Sequence, residues 1–152
     1  MTTTGSTLAK FCLYSASKSQ GECMLTQSPA FFLKVSGDKE LLRIVYKNFI
    51  DNAVKYGREG GTIRLGFMKS AENYAFEVWN DGDGLVPDKL AQLFGKFVRL
   101  HRDKDTTRST GLGLFITKDI IEKHGGSVRA ESREGEWISF TFTLPIPLSE
   151  AT

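Results

Sequence analysis

Four short segments of this chain contain residues whose types and spacing suit phosphate chemistry. In chain order they are NFIDNAVKY at 48–56, NDGDG at 80–84, TGLGL at 110–114 and HGG at 124–126. Amide oxygens can bind Mg²⁺, a lysine can bind a phosphate, and the backbone N–H groups of glycine-rich turns can bind anions. Each segment alone is weak evidence. Together, in this order, they predict a nucleotide-phosphate site.

The first segment places Asn48, Asn52 and Lys55 on one flank of a predicted helix, beside its apolar stripe, because successive residues are about 100° apart. Asparagine is a poor helix former, so the pair needs a reason. In a structural interpretation, the amides bond to backbone groups where the helix meets the sheet. In a functional interpretation, their oxygens hold Mg²⁺ and Lys55 contacts a phosphate.

The second segment follows directly on a predicted strand. Asn80 shares the packed face of residues 74–78, so we expect its side chain to point between the sheet and the helices. Gly82 and Gly84 allow a sharp turn and a close approach of a ligand to the backbone. The alternative is a plain tight turn, because Asn-Asp-Gly is common turn chemistry.

The third segment opens a predicted helix, whose first N–H groups and dipole attract an anion. It lacks the strand and the acidic residue of a dinucleotide-binding fingerprint. Before it lies a charged loop (residues 95–109), which is either a solvated surface loop or a mobile lid over a triphosphate. Phe94 and Phe97 either anchor this lid or belong to the core. We expect His124, in the fourth segment, to cap the helix end or to pack, not to accept a phosphoryl group.

The elements that position these segments follow from hydrophobic periodicity. Apolar residues spaced by three or four between Leu42 and Tyr56 predict a helix with Asp38 as N-cap and Gly57 as its end. Alternation predicts strands at 62–67, 74–79 and 138–144, with one packed face each. Further helices are predicted at 87–94 and 112–123, and an edge strand at 31–35. This is the pattern of a two-layer α/β (α+β) sandwich: a mixed, mostly antiparallel sheet of about five strands with three helices on one face.

Length and composition indicate one ordinary globular domain. We divide the chain into a Ser/Thr/Gly-rich lead-in (1–30), expected to be flexible or loosely attached, the domain itself (31–147) and a tail (148–152). A net charge of +2 and the lack of Phe, Trp and Tyr among the charges of residues 99–108 argue against nucleic-acid binding. No apolar run reaches the length of a membrane span, so we expect no membrane contact by this domain. Cys12 and Cys23 lack metal-type spacing, which favours free thiols and a cytoplasmic location.

Over about residues 31–145 the four segments resemble the ATP-binding catalytic domain of sensor histidine kinases, in the superfamily that includes gyrase, Hsp90 and the mismatch-repair ATPases (Bergerat fold). The resemblance implies ATP and Mg²⁺ as ligands, with Asn52 as the metal ligand. In that family an Asp usually occupies the position of Asn80, where it accepts a hydrogen bond from the adenine amino group. A glycine usually occupies the position of Ser109.

The resemblance also implies a set of site residues. Those expected to act in phosphoryl transfer are Asn48, Lys55, Arg99 and Arg108. Those expected to contact the nucleotide are Asn48, Asn52, Lys55, Tyr56, Asn80, Gly82, Gly84, Phe94, Thr110, Gly111, Leu112, Gly113 and Leu114. Asn80 can accept through its amide oxygen and donate through its NH₂, so the sequence leaves base preference open.

The expected activity is transfer of the γ-phosphoryl group of ATP to a histidine. ATP-hydrolysing relatives use a Glu as general base at the position of Asn48, and an amide cannot accept a proton at neutral pH, which favours transfer over hydrolysis. His101 and His124 do not lie in an acceptor-like helix. We therefore expect an excised domain or the end of a longer protein, monomeric as a fragment. Its partners would be a separate histidine-containing phosphoacceptor and dimerisation domain and a response regulator. The alternatives are a non-catalytic nucleotide sensor and an anti-sigma-type serine kinase.

Overall fold

The computed structural model of the chain describes residues 6–11, 14–19, 22–27, 31–98 and 111–147, with side chains at 35–98 and 111–147. The strands are β1 (Ser6–Phe11), β2 (Tyr14–Ser19), β3 (Glu22–Gln27), β4 (Phe31–Ser36), β5 (Thr62–Lys69), β6 (Asn73–Asp81), β7 (Val128–Arg133) and β8 (Trp137–Pro145). The helices are α1 (Lys39–Tyr56), α2 (Pro87–Gln92) and α3 (Gly113–Lys123).

The described strands form one large sheet and one ribbon. The large sheet has the order β3-β2-β5-β6-β8-β7, and β1 pairs with β4 in the separate ribbon. Every described strand pair is antiparallel. The predicted two-layer α+β fold is confirmed, with two differences: the large sheet has six strands instead of about five, and no parallel pair occurs among the described strands.

The first helix forms as its sequence predicts. The Asp38 carboxylate accepts hydrogen bonds from the backbone N–H groups of Glu40 (2.9 Å) and Leu41 (3.1 Å), which satisfies two of the free donors at the helix start. Val45, Phe49 and Ala53 are buried along one stripe, and Gly57 ends the helix. The stripe faces the sheet, so the flank beside it is left for polar contacts.

The third helix is anchored at its end. Gly126 N–H bonds to the Ile121 carbonyl and Gly125 N–H to the Glu122 carbonyl, which is the Schellman pattern. His124 Nδ1 lies 2.7 Å from the Ile120 carbonyl oxygen, and its Nε2 accepts from Asp38 N–H at 3.0 Å. His124 thus caps α3, as the sequence predicted, and it also ties the end of α3 to the start of α1, which the sequence did not predict.

Among the described residues, one hydrophobic core lies between the helices and the sheet. Phe49 of α1 stacks on Phe140 and Phe142 of β8 with ring centroids 5.3 and 5.7 Å apart, and Phe76 of β6 stacks on Phe142 at 4.9 Å. The other buried apolar members are Val35, Val45, Ala53, Ile63, Tyr74, Val78, Leu85, Leu93, Leu114, Ile120, Ile121, Ile138, Leu144 and Ile146. This core fixes α1 and α3 over the sheet.

Three strands lie in the segment that composition marked as a lead-in. Strand β2 pairs with β5 (Ser15 opposite Arg64), so part of residues 1–30 extends the sheet of the domain. The helix predicted at 87–94 ends earlier, at Gln92. Among the described residues, no helix combines the length and the apolar character needed to cross a bilayer.

Candidate functional site

The amide of Asn48 bonds to the start of α3. Its Nδ2 donates to the Gly113 carbonyl oxygen and to Thr117 Oγ1, both at 3.1 Å. A carbonyl oxygen can only accept, so the amide nitrogen must face α3. The nitrogen therefore has the structural role that the sequence allowed for, and only the Asn48 oxygen is left to act on a ligand.

The next residues on this flank are more open. Asn52 is half-buried, and no described residue forms a hydrogen bond with its amide. Lys55 is exposed, with its Nζ 5.0 Å from the centroid of the Tyr56 ring. An amide oxygen and an ammonium group on one helical flank fit a Mg²⁺ ion and a phosphate, respectively.

Asn80 has a buried oxygen without a partner. The residue is 1% exposed, and its Nδ2 donates to the Asp81 carbonyl oxygen at 2.8 Å. Because a carbonyl oxygen only accepts, the side-chain atom that faces it must be the nitrogen, and Oδ1 is the atom on the other side of the amide. No described residue donates to Asn80 Oδ1. A buried acceptor without a donor is costly, so this oxygen is suited to a ligand N–H group.

The turn that follows Asn80 packs closely against protein backbone. A Cβ at Gly82 would lie 2.6 Å from the Tyr56 carbonyl oxygen, and a Cβ at Gly84 would overlap the Arg133 carbonyl. Gly84 also has φ = +58°, which favours glycine. The hydroxyl of Ser132 accepts from Leu85 N–H at 2.7 Å. These contacts explain both glycines without a ligand, so a nucleotide contact at Gly82 and Gly84 stays a prediction.

The turn at the start of α3 is more open. Gly111 has φ = +68°, and a Cβ there would lie 2.8 Å from the backbone of Phe97. At Gly113 the nearest atoms to an added Cβ are those of the Asn48 amide, at 3.7–3.8 Å. Leu112 is the N-cap, and it has no side-chain hydrogen bond to the helix. Leu114 is 9% exposed and belongs to the core, so its expected nucleotide contact stays a prediction.

The two phenylalanines at the charged loop differ in environment. Phe94 is partly buried against the core. Phe97 is 71% exposed and has φ = +61°, an uncommon conformation for a bulky residue. Within the described residues, Phe97 therefore does not pack as a buried anchor. Arg99, Arg108 and Thr110 lie outside the described residues, as does the expected lid from residue 99 onward.

Three sequence segments come together around the second half of α1. Asn48 connects α1 to α3, and the end of α1 contacts the turn after β6 through the Gly57–Gly82 bridge. Arg58 N–H also donates to the Asp81 carbonyl oxygen at 3.2 Å. The sequence motifs do not include Thr117, a fully buried partner of Asn48. The sequence feature that could have identified it is a hydroxyl side chain at an apolar position of a predicted helix.

Known proteins are similar to this chain in sequence and in fold. The family described as histidine kinase-, DNA gyrase B- and HSP90-like ATPase matches residues 37–148. The adaptive-response sensory kinase SasA of Parasynechococcus marenigrum (strain WH8102) is 34% identical over 122 residues, which cover 80% of this chain and 32% of that kinase. The chain thus spans about a third of the length of this relative.

Two solved structures are also similar. The catalytic domain of histidine kinase ThkA, in a nucleotide-free form, superposes with a TM-score of 0.63 at 31% identity, covering 76% of this chain and 74% of that one. Full-length ShkA in complex with AMPPNP gives a TM-score of 0.63 at 31% identity over 73% of this chain and 22% of that one. The chain belongs to the histidine kinase-, DNA gyrase B- and HSP90-like ATPase family and, within it, to the ATP-binding catalytic domains of sensor histidine kinases.

Proposed function

We propose that this domain binds MgATP beside the second half of α1 and transfers the γ-phosphoryl group to a histidine of a separate phosphoacceptor domain. The observation that carries the proposal is the buried, unpartnered Oδ1 of Asn80. An adenine amino group would supply the missing donor. The Asn80 N–H bond to the Asp81 carbonyl holds the oxygen in the accepting orientation.

The residues on α1 would hold the metal and the phosphates. The Asn52 amide oxygen would bind Mg²⁺, which prefers oxygen ligands and retains several waters. Lys55 would neutralise phosphate charge, and the open face of α3 at Gly113 would present backbone N–H groups to a phosphate. Bound MgATP supplies the phosphoryl group. The protein contributes positioning and electrostatic stabilisation, which are the main contributions to catalysis in phosphoryl transfer.

Transfer to another protein is favoured over hydrolysis. Asn48 cannot act as a general base, and its nitrogen is bonded to α3. The acceptor would be a histidine-containing dimerisation domain, with a response regulator downstream, and we infer a cytoplasmic setting for both reactions. The similarity to sensor kinases over a third of their length supports these partners.

Asn52→Ala tests the metal assignment. We expect the variant to stay folded but to lose at least about tenfold in MgATP affinity, about 1.4 kcal/mol, because the metal loses an oxygen ligand. Calorimetric titration with and without Mg²⁺ measures this change. Asn73→Ala is the matched control, because Asn73 begins β6 away from α1 and its backbone, not its side chain, forms the hydrogen bonds to the Ser70 hydroxyl. Equal MgATP affinity in parent and Asn52→Ala would contradict the assignment.

A second measurement separates a kinase from a nucleotide sensor. The MgATP-loaded domain is mixed with a phosphoacceptor domain from a sensor kinase, and acid-labile phosphate on its histidine is measured. We expect transfer that depends on Mg²⁺ and that Asn52→Ala reduces. Nucleotide binding without transfer to several such domains would favour the sensor alternative.

A further inference from the structure

Thr117 is a polar residue in an apolar position. It is 0% exposed and lies on the buried stripe of α3 with Leu114, Ile120 and Ile121. Threonine forms helices less well than leucine, and a buried hydroxyl without a hydrogen bond is costly. Valine has nearly the same shape without either the hydroxyl or its desolvation cost. The threonine therefore needs a partner for its hydroxyl, and that partner is Asn48 Nδ2 at 3.1 Å.

The contact determines the orientation of the Asn48 amide. Its nitrogen has two acceptors, the Gly113 carbonyl and the Thr117 hydroxyl. An amide nitrogen carries two hydrogens, so this pair of acceptors can use both of them. The amide lies flat against Gly113, since its Cγ, Oδ1 and Nδ2 are 3.7, 3.7 and 3.8 Å from the Cβ position of that residue. The oxygen is then the only polar atom of Asn48 that remains for a ligand.

We infer that Thr117 is a positioning residue for the nucleotide site. Together with the Gly113 carbonyl, it holds the nitrogen of the Asn48 amide on α3, which leaves the oxygen for the metal and phosphate groups expected beside Asn52. It also connects the α1 flank to the glycine-rich start of α3, so the two halves of the phosphate site keep a fixed separation. This inference rests on the proposed function.

The substitution Thr117→Val removes the acceptor but keeps the shape. With the Gly113 carbonyl as its only remaining acceptor, one N–H of Asn48 is released and the amide can rotate. Thr117→Ser keeps the hydroxyl and should behave like the parent. Thr143→Val is the matched control, because its hydroxyl accepts from Ser127 N–H at 3.0 Å, at the start of β7 and away from the site.

The first measurement needs no nucleotide. In the nucleotide-free domain, we expect the side-chain NH₂ of Asn48 to exchange slowly with solvent in the parent and in Thr117→Ser, and at least about tenfold faster in Thr117→Val. Unchanged exchange in Thr117→Val would overturn the role of the hydroxyl in fixing the amide, whatever the domain binds.

The second measurement is calorimetric titration of MgATP. We expect Thr117→Val to lose three- to tenfold in affinity, Thr117→Ser and Thr143→Val to match the parent, and Thr117→Val to have no further effect in an Asn48→Ala background. Full affinity in Thr117→Val would overturn the inference while leaving the proposed function intact. An equal loss in Thr143→Val would overturn it too, because general destabilisation would then explain the result. A parent that does not bind MgATP would overturn the proposed function, and the inference with it.

Discussion

The two glycine-rich turns differ in what lies against their glycines. In the turn after β6, Gly82 and Gly84 face the carbonyls of Tyr56 and Arg133, with no room for a side chain. At the start of α3, Gly111 faces the backbone of Phe97, but the described atoms nearest to a Cβ at Gly113 are those of the Asn48 amide, at ordinary contact distance. A glycine in such a motif can therefore be required by close backbone packing in one turn and lie at an open surface in another.

This difference suits the two turns to different parts of a nucleotide. The first turn is rigidly joined to α1 and to the β7–β8 hairpin, so it fixes where Asn80 presents its oxygen. The second turn leaves a helix start open on one side, which is where backbone N–H groups can reach an anion. Base recognition would then rest on a rigid side chain and phosphate recognition on an accessible backbone.

The largest expected effect is on folding, at Gly84. Gly84→Ala should cost about 2–4 kcal/mol of unfolding free energy, because it combines a positive φ with overlap against the Arg133 carbonyl. Gly135→Ala is the matched control: its φ is +76°, yet nothing lies within 4 Å of its Cβ position. It should therefore cost only the strain of positive φ, about 1 kcal/mol. Urea unfolding of both variants measures the difference, and equal losses would contradict close packing at Gly84.

The next effect is on binding, at Asn80. Asn80→Ala should weaken ATP by about 1–3 kcal/mol, because a buried hydrogen bond is lost and its partner is stranded. The fold should tolerate this change, since the Asp81 carbonyl still accepts from Arg58 N–H. Asn80→Asp should restore or improve ATP binding through a charged acceptor. Unlike the amide, however, it has no N–H for the Asp81 carbonyl, so we expect the nucleotide-free variant to be less stable.

The same titrations with GTP test whether Asn80 recognises the adenine amino group. Guanine has a carbonyl where adenine has its amino group, and the Asn80 NH₂ could turn toward it only by giving up its bond to the Asp81 carbonyl. The parent should therefore prefer ATP, where the sequence alone left the preference open. Equal affinity for both nucleotides, or no ATP loss in Asn80→Ala, would mean that Asn80 only shapes the turn.

The sequence predicted the strongly periodic parts of the fold. Helix α1 and strands β5, β6 and β8 carry clear apolar stripes, so the spacing of their apolar residues predicts both the type of element and its buried face. Strand β7 was not predicted, because its inward positions are only half-buried and include Ala130 and Ser132. Strands β1–β3 lie in a Ser/Thr-rich segment where pairing partners, not local periodicity, define the register.

For the site, the sequence identified residue types but not the atoms they use. Asn48 and Asn80 were both expected at the ligand, yet each uses its side-chain nitrogen in a hydrogen bond to protein: Asn48 to the Gly113 carbonyl, far away in sequence, and Asn80 to the carbonyl of the next residue, Asp81. Thr117 was missed because a single threonine in a helix matches no motif, and its importance depends on Asn48, far away in sequence. Local sequence patterns locate a site of this kind. The hydrogen bonds of the folded chain then determine which side-chain atoms remain for a ligand.

The smallest expected effect is at Gly113. It tests whether the start of α3 is more open than the turn after β6. Its φ is not in the positive region, and an added methyl would only touch the Asn48 amide at 3.7–3.8 Å. Gly113→Ala should therefore raise the unfolding free energy by about 0.4–1 kcal/mol, because the unfolded chain loses flexibility. If a phosphate approaches the backbone there, the same methyl should lower ATP affinity on the order of threefold, about 0.7 kcal/mol. Urea unfolding and calorimetric titration of one variant give both numbers. A more stable variant with full ATP affinity would mean that the open face of α3 is not a ligand surface, whereas a less stable one would show that this turn is as tightly packed as the first.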